Sequence, residues 1–331
     1  MKKFLCLSAS IFALCLFVGA PAQAGVSLKM AGQYPLEHPN TVVMLELADR
    51  VKERTNGEVE IRVFPANQLG DYSLVYEEVG RGSIEMALIS IPGHLDFRLE
   101  VADMPYLAYD YDTAKTIYAH GATLFKLLEE VHASQGVTFL GFYADGFGGF
   151  GGIKMPDNME QPNANRNLIL RVPPQATWRI LGEDHGFQTV SIPFAELYTA
   201  FQTGIVEGWY GGPPSDNWYG FRDVIKCYVA CNNFFGNTSF LMNKNVFNKL
   251  SLEHQKVISE EVIRLGEKSF AIAQDVEEGY LKKMEEQGIK VVRLTPEQLK
   301  AWAEYTRQVS WPKMEGHLTK QIIDTLLSLY Q

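Results

Sequence analysis

Between Val26 and Phe64 the chain reads as a strand, a helix and a second strand, and that succession constrains its fold more than any other feature. Val26 to Ala31 has the apolar content of a strand. Asn40 to Arg54 carries Val43, Leu47 and Val51 on one helical face, with Asn40 or Thr41 placed to cap it after Pro39. Gly57 ends that unit, and Glu58 to Phe64 alternates polar and apolar side chains as a half-buried strand does. Strands joined through a helix run parallel, so the chain is expected to build a mainly parallel sheet covered by helices.

The alternation continues. Helices are expected at Asp71–Gly80, Asp112–Glu130, Gln175–Asp184, Phe194–Thr203 and, much longer, Leu252–Gln287. Strands are expected at Ile84–Ser90, Val137–Tyr143, Asn167–Val172, Thr189–Ile192, Val224–Asn232, Ser239–Met242 and Ile289–Leu294. Thr295-Pro296-Glu297-Gln298 is a helix start, with a threonine cap, proline in the first turn and glutamine three residues on. Gly146-Phe147-Gly148-Gly149-Phe150-Gly151-Gly152 reads as a flexible crossover and a domain boundary, and Gly208–Asn217 as a turn-rich loop. The order predicts a two-domain α/β fold whose domains exchange segments. Residues 25–148 with 237–276 form one domain, and 149–236 with 277–331 the other. The long helix braces both, and a ligand cleft lies between them.

The N-terminus carries the marks of an export signal over residues 1–24: Lys2 and Lys3, an apolar run from Phe4 to Val18, and the small-residue cleavage site Ala22-Gln23-Ala24. The mature chain is then expected to start at Gly25, as an exported protein. No second apolar run of that kind follows, so a soluble protein is expected. Cleavage removes two of the 30 basic residues and none of the 39 acidic ones; 28 minus 39 leaves a net charge of −11, which argues against nucleic acid or an anionic membrane as partner. Two of the four cysteines remain, Cys227 and Cys231. On an extended segment their Cα atoms would stand ~13 Å apart, which favours free thiols over a disulfide, and no nearby histidine supports zinc.

Chemistry-bearing motifs are scarce. G-x-S-x-G, H-E-x-x-H and the phosphate-binding G-x-x-x-x-G-K-[ST] are absent. No metal site and no cofactor are expected. An enzyme built on Asp145, His38 or Glu207 lacks any nucleophile–base spacing, and His38 reads as a surface loop residue. Arg171 is the exception. It sits in the apolar run Leu168-Ile169-Leu170-Arg171-Val172, just before Pro173 and Pro174, and its planar fork of donors suits a carboxylate. The alternative is an ion pair with Glu196 or Glu207. Aromatic residues gather in the same stretch, among them Trp178, Phe194, Trp209, Tyr210 and Trp218.

At these residues the sequence resembles the solute-binding subunits of tripartite ATP-independent periplasmic (TRAP) transporters, over nearly the whole mature chain. Phe64-Pro65-Ala66-Asn67-Gln68-Leu69-Gly70 is similar to that family's P-x-x-Q-L-G, and Gly82-Ser83-Ile84-Glu85-Met86-Ala87 to its G-x-[IL]-[DE]-[FM]. Leu170-Arg171-Val172-Pro173, the run Pro193–Gly208, and Leu241-Met242-Asn243-Lys244 followed by Leu250-Ser251 also match its pattern. The resemblance implies a periplasmic binding protein fold of two α/β domains that closes over a small organic acid and hands it to membrane permease subunits. It implies that Arg171 pairs with the ligand carboxylate and that Gln33, Ser90 and Phe194 line the pocket. The receptor is expected to be a monomer that performs no catalysis.

Two departures bear on the ligand. Gly148 stands where many members carry a second arginine. Gly211, within Trp209-Tyr210-Gly211-Gly212, stands where many carry the asparagine of a Q-E-N-P motif. Polar groups are exchanged for space and aromatic surface, which argues against sialic acid and C4-dicarboxylates. Micromolar capture needs about 8 kcal/mol. One charged hydrogen-bonding pair gives roughly 1.5–3 kcal/mol, and burying ~200 Å² of a ring adds about 5 before association losses. The expectation is a monocarboxylate with an aromatic or hydrophobic body, such as an indolyl or aryl acid, held by Arg171, Phe194, Trp209, Tyr210, Gly211, Gln33, Ser90 and Gly148. A C4-dicarboxylate or sugar-acid receptor, and a binding protein that presents its ligand to a sensor, are the alternatives.

Overall fold

The structure is a computed structural model that describes residues 25–328; the export signal expected at residues 1–24 lies outside the described residues. Its elements run β1 (Val26–Gly32), α1 (Pro39–Arg54), β2 (Val59–Phe64), α2 (Tyr72–Arg81), β3 (Met86–Ile89), α3 (Tyr111–Ile117), α4 (Thr123–Ser134), β4 (Val137–Phe147), β5 (Gly149–Gly152), β6 (Ile169–Val172), α5 (Ala176–Asp184), β7 (Gln188–Ser191), α6 (Leu197–Gln202), β8 (Gly208–Gly212), α7 (Pro214–Asp216), β9 (Cys227–Ala230), β10 (Phe235–Asn243), α8 (Lys244–Lys249), α9 (Leu252–Glu286), β11 (Lys290–Arg293), α10 (Pro296–Tyr305), α11 (Trp311–Leu318) and α12 (Lys320–Ser328).

The strands form two sheets, one of order β2-β1-β3-β10-β4 and one of order β11-β9-β5-β8-β6-β7. In the first, β1 pairs in parallel with β2 and β3, as the β–α–β opening requires, while β10 runs antiparallel between β3 and β4. In the second, β6 is parallel to β7 and β8, and β5 is antiparallel to β8 and β9. The chain passes from the first sheet to the second between β4 and β5. It returns between β9 and β10, and passes back along α9 to β11.

Helix α9 spans 35 residues, roughly 50 Å at 1.5 Å per residue, starting from a Ser251 side chain that accepts from the His254 N–H. It packs on β4 and α1 at one end and on β11 at the other. Beneath it, Phe147, Phe150 and Phe235 are fully buried and belong to one apolar cluster that runs from the first sheet into the second. The C-terminal helices lie against both: α11 packs on α5 and on the Phe97–Asp103 turn, and the Trp311 Nε1–H donates to Pro105 O at 2.9 Å. Among the described residues no helix is long and apolar enough to cross a membrane.

Several expectations need correction. Asp112–Glu130 is not one helix: α3 stops at Ile117 and α4 starts at Thr123. Gly121 stands between them at φ +74°, outside helical backbone, and Tyr118 is buried with its hydroxyl donating to Ala102 O at 2.9 Å. The glycine run is not a flexible linker but the end of β4 followed by β5, buried throughout. Glycine is needed there because neighbours press on the backbone. A Cβ on Gly151 would stand 2.0 Å from Asn217 Oδ1, and one on Gly148 would stand 2.0 Å from the Phe234 ring. The same holds in the supposed loop Gly208–Asn217. It is strand β8 followed by a helical turn, and its glycines make room for the rings of Phe150 and Trp209. Cys227 and Cys231 are buried free thiols, and burial pushes them up to about 11 and about 12.

Candidate functional site

Arg171 lies on β6, an inner strand of the second sheet, with Val190 of β7 and Trp209 of β8 as its register partners. Leu170 and Val172 fill the core. Strand alternation therefore sends Arg171 to the other face, where it is 3% exposed at the edge of a cavity. Its Nε–H donates to Ile192 O at 2.8 Å, which fixes the plane of the guanidinium, and the group lies 5.9 Å from the centre of the Trp209 ring. Among the described residues no carboxylate pairs with it. Glu207 instead accepts from the Ile169 N–H at 3.0 Å and lies 3.8 Å from Lys154, and Glu196 is exposed. Burial, opposed by Tyr72 and Asp71, pulls the guanidinium down to about 10, so the arginine is still a cation at neutral pH.

The cavity lies between the two sheets and has a volume of about 60 Å³. From the first sheet come Gln33 and Tyr34 after β1 and Ser90 after β3. Gln33 and Ser90 hold each other, Nε2–H to Oγ at 3.1 Å and the Ser90 N–H to Oε1 at 2.9 Å. From the second come Arg171, Phe194, Trp209 and Gly211, with Trp178 on α5 and Phe234 between β9 and β10 completing an aromatic wall. These are six of the eight residues expected to form the site: Gln33, Ser90, Arg171, Phe194, Trp209 and Gly211. Tyr210 and Gly148 do not line it. Tyr210 points to the opposite face of β8, fully buried near Phe187 and His185, as strand alternation with Trp209 dictates. Gly148 is covered by the Phe234 ring, so the space expected from the missing arginine is filled by an aromatic side chain.

Several lining residues were not expected. Asp103, Asp145 and Asp216 all border the cavity, with Tyr72, Gln175 and Asn237. Burial, then Glu100, pushes the Asp103 carboxyl up to about 7. Burial, then Asp216, holds Asp145 well above the usual carboxylate range. Asp216 accepts from the Tyr34 hydroxyl at 2.9 Å and stands 3.1 Å from His38 Nε2. His38 is fully buried, not a surface loop residue. Its ring stacks on Tyr34 at 3.9 Å, and its Nδ1 accepts from the Asn40 N–H to cap α1. Only long-range chain crossings place these acids together, so no local motif points to them. Asp145, His38 and Glu207 are not assembled as a catalytic set, since Asp145 alone of the three borders the cavity. Among the described residues no group of three or more histidine, cysteine, aspartate or glutamate side chains is placed to hold a metal ion.

The profile of the bacterial extracellular solute-binding proteins, family 7 (DctP), matches residues 30–315. The C4-dicarboxylate-binding periplasmic protein DctP of Rhodobacter capsulatus is 25% identical over 304 residues, covering 88% of each chain. The sialic acid-binding periplasmic protein SiaP of Vibrio cholerae is 22% identical over 272 residues, covering 78% of this chain and 80% of its own. Among solved structures, a TRAP periplasmic solute-binding protein of Desulfovibrio salexigens with bound orotic acid superposes with a TM-score of 0.81 at 23% identity, covering 92% of this chain and 97% of its own. One from Sulfurospirillum deleyianum with bound succinate gives 0.80 at 22%, covering 92% and 99%.

Proposed function

The chain belongs to the bacterial extracellular solute-binding proteins of family 7, the receptors of TRAP transporters, and from that premise we propose that it captures a small organic carboxylate on Arg171 in the periplasm and delivers it to membrane permease subunits. Residues 1–24 act as the cleaved export signal in this reading. The observation that carries it is a buried guanidinium, oriented by Ile192 O and, among the described residues, left without a protein carboxylate at the rim of a cavity between two sheets. A cation so placed needs an anion, and a carboxylate matches its parallel donors. The site comprises Arg171 with Gln33, Ser90, Phe194, Trp209 and Gly211. The lobes that close on it are residues 25–148 with 237–276, and 149–236 with 277–331. The receptor works as a monomer without a cofactor, and its acidic charge keeps nucleic acid away.

The cavity favours one carboxylate over two. Among the described residues a single arginine borders it, so a second ligand carboxylate would have no cation to pair with and would be buried beside three further acid groups, Asp103, Asp145 and Asp216. Relatives bind C4-dicarboxylates and sugar acids, and that remains the competing reading for this chain. The aromatic wall supports a partly apolar ligand body. The volume of about 60 Å³ favours a compact one, since ~150 Å³ is the scale of a cavity that takes benzene; an indolyl acid requires the lobes to part.

The test is calorimetric titration of the wild type and of Arg171→Ala with a panel of short monocarboxylates, aryl acids and dicarboxylates. At least one acid should bind the wild type at micromolar strength, and Arg171→Ala should weaken it by about 30-fold or more, the equivalent of ~2 kcal/mol or more for a buried charged pair. Undiminished binding to Arg171→Ala would remove the reading.

A further inference from the structure

We propose that the cavity holds a second subsite, made by Asp145, Asn237 and Gln175, that takes a protonated amine, so that the ligand is an amino-carboxylate zwitterion and not a plain acid. This rests on the reading of Arg171 as the carboxylate anchor and specifies what stands at the other end of the same ligand.

The first observation is a set of acceptors with nothing to accept. Asn237 is 5% exposed; its Nδ2 donates to Ala102 O at 3.1 Å, to Phe235 O at 3.1 Å and to Asp103 Oδ1 at 3.4 Å. Those bonds fix the amide so that Oδ1 is the remaining atom, and it is buried and receives no hydrogen bond. Gln175 is 7% exposed and repeats the pattern: Nε2 donates to Ile91 O at 3.2 Å, while Oε1 is buried without a donor. Asp145 Oδ1 is the third. All three residues border the cavity that Arg171 borders. An unsatisfied buried acceptor costs about 1–3 kcal/mol, so three around one cavity call for a group that donates in several directions. An ammonium has three donors and no acceptor.

The second observation is charge. Among the described residues three carboxyl groups and one guanidinium border the cavity. Asp216 already has the Tyr34 hydroxyl and His38 beside it, whereas burial, then Asp216, holds Asp145 well above the usual carboxylate range for want of a cation. A plain monocarboxylate or a dicarboxylate supplies none. A zwitterion sets its carboxylate against Arg171 and its cation beside Asp145, which can then ionise and accept from it. Hydroxyl groups of a sugar acid would satisfy the acceptors but bring lone pairs of their own and no cation, which is why the amine is favoured.

The test uses three matched sets of short acids on the full mature protein: glycine, glycolate and acetate; alanine, lactate and propionate; and γ-aminobutyrate, γ-hydroxybutyrate and butyrate. Calorimetry should find at least one amine-bearing member bound at least ten times more tightly than its hydroxyl and unsubstituted partners. Asp145→Asn should cut that preference about tenfold, and Asn237→Leu should reduce it as well. The wild-type preference is read without any variant, so misfolding of either variant leaves the proposal exposed. If no amine-bearing acid binds, or none is preferred over its hydroxyl partner, or Asp145→Asn keeps the full preference, the subsite is overturned. Binding of plain acids that Arg171→Ala abolishes would at the same time leave the carboxylate receptor standing.

Discussion

Asp103 sets a pH dependence that belongs to one residue. Its carboxyl is pushed from an ordinary 3.8 up to about 7 by burial and then by Glu100, while the Asn237 amide opposes the shift. Below about 3.8 both the folded and the unfolded chain hold the proton. As pH rises toward about 7 the unfolded chain ionises and the folded one does not, so unfolding is progressively favoured; above that the penalty is constant. Asp103→Asn removes this contribution. Its urea midpoint without ligand should therefore gain on the wild type between about pH 4 and about pH 7, and an unchanged difference across that interval would place the carboxyl in an ordinary environment. Glu100, three residues earlier, is its one local influence; the burial and the opposing amides of Asn237 on β10 and Gln175 before α5 come from far away in sequence, so the chain around residue 103 does not mark it. Arg171 was legible because an arginine inside an apolar strand is conspicuous by itself. His38 was misread for the same reason Asp103 was missed: its partner Asp216 lies across the molecule.

Strand β5 and its neighbours show what element-level reading captures and what it misses. A helix start is legible where its cap is an ordinary one within a single turn, and Thr295 and Gln298 form the expected reciprocal capping box on α10; α1, expected to be capped by Asn40 or Thr41, is capped instead by His38, a residue read as loop. The glycine run was misread because a dense set of glycines is locally the same whether the chain is slack or tightly overlaid. What separates the cases is the partner, and Asn217 and Trp209 arrive from the segment after β6. The Trp209 Nε1–H donates to Asn217 Oδ1 at 3.0 Å, and the Asn217 amide in turn donates to Gly212 O and Pro213 O, both at 3.0 Å. A methyl group on Gly151 would stand 2.0 Å from that Oδ1 and 2.8 Å from Nε1. Gly151→Ala should therefore cost about 1–3 kcal/mol, as overpacking of a tight core does, and thermal melting will register it. Because Trp209 also faces Arg171, ligand affinity should fall with it. A melting point equal to the wild type would mean that β5 is as slack as its sequence looks.

At the scale of the molecule, the two sheets are joined by three chain passages, by the C-terminal helices and by a few polar contacts over the cavity. Two of those contacts hold α5 to the first sheet's side. Gln175 donates to Ile91 O at 3.2 Å, and Glu100, 3% exposed, accepts from the Thr177 N–H at 3.2 Å in the first turn of α5. A carboxylate at a helix N-terminus is favoured by the exposed N–H groups and the helix dipole, and this one comes from the opposite side of the cavity. In the proposed receptor the lobes open and close, so contacts of this kind belong to the closed state and bias the hinge equilibrium, and Glu100 does so from outside the cavity lining. Losing about 1.4 kcal/mol from the closed state lowers its population relative to the open state tenfold, and the apparent affinity falls by up to the same factor. Small-angle scattering should accordingly show the wild type compacting when it binds an acid, and Glu100→Ala more open at rest and compacting only at higher ligand concentration. Were Glu100→Ala to scatter and bind as the wild type does, the Glu100–Thr177 contact would be a passive consequence of closure and the hinge balance would have to reside in α9 and the chain passages.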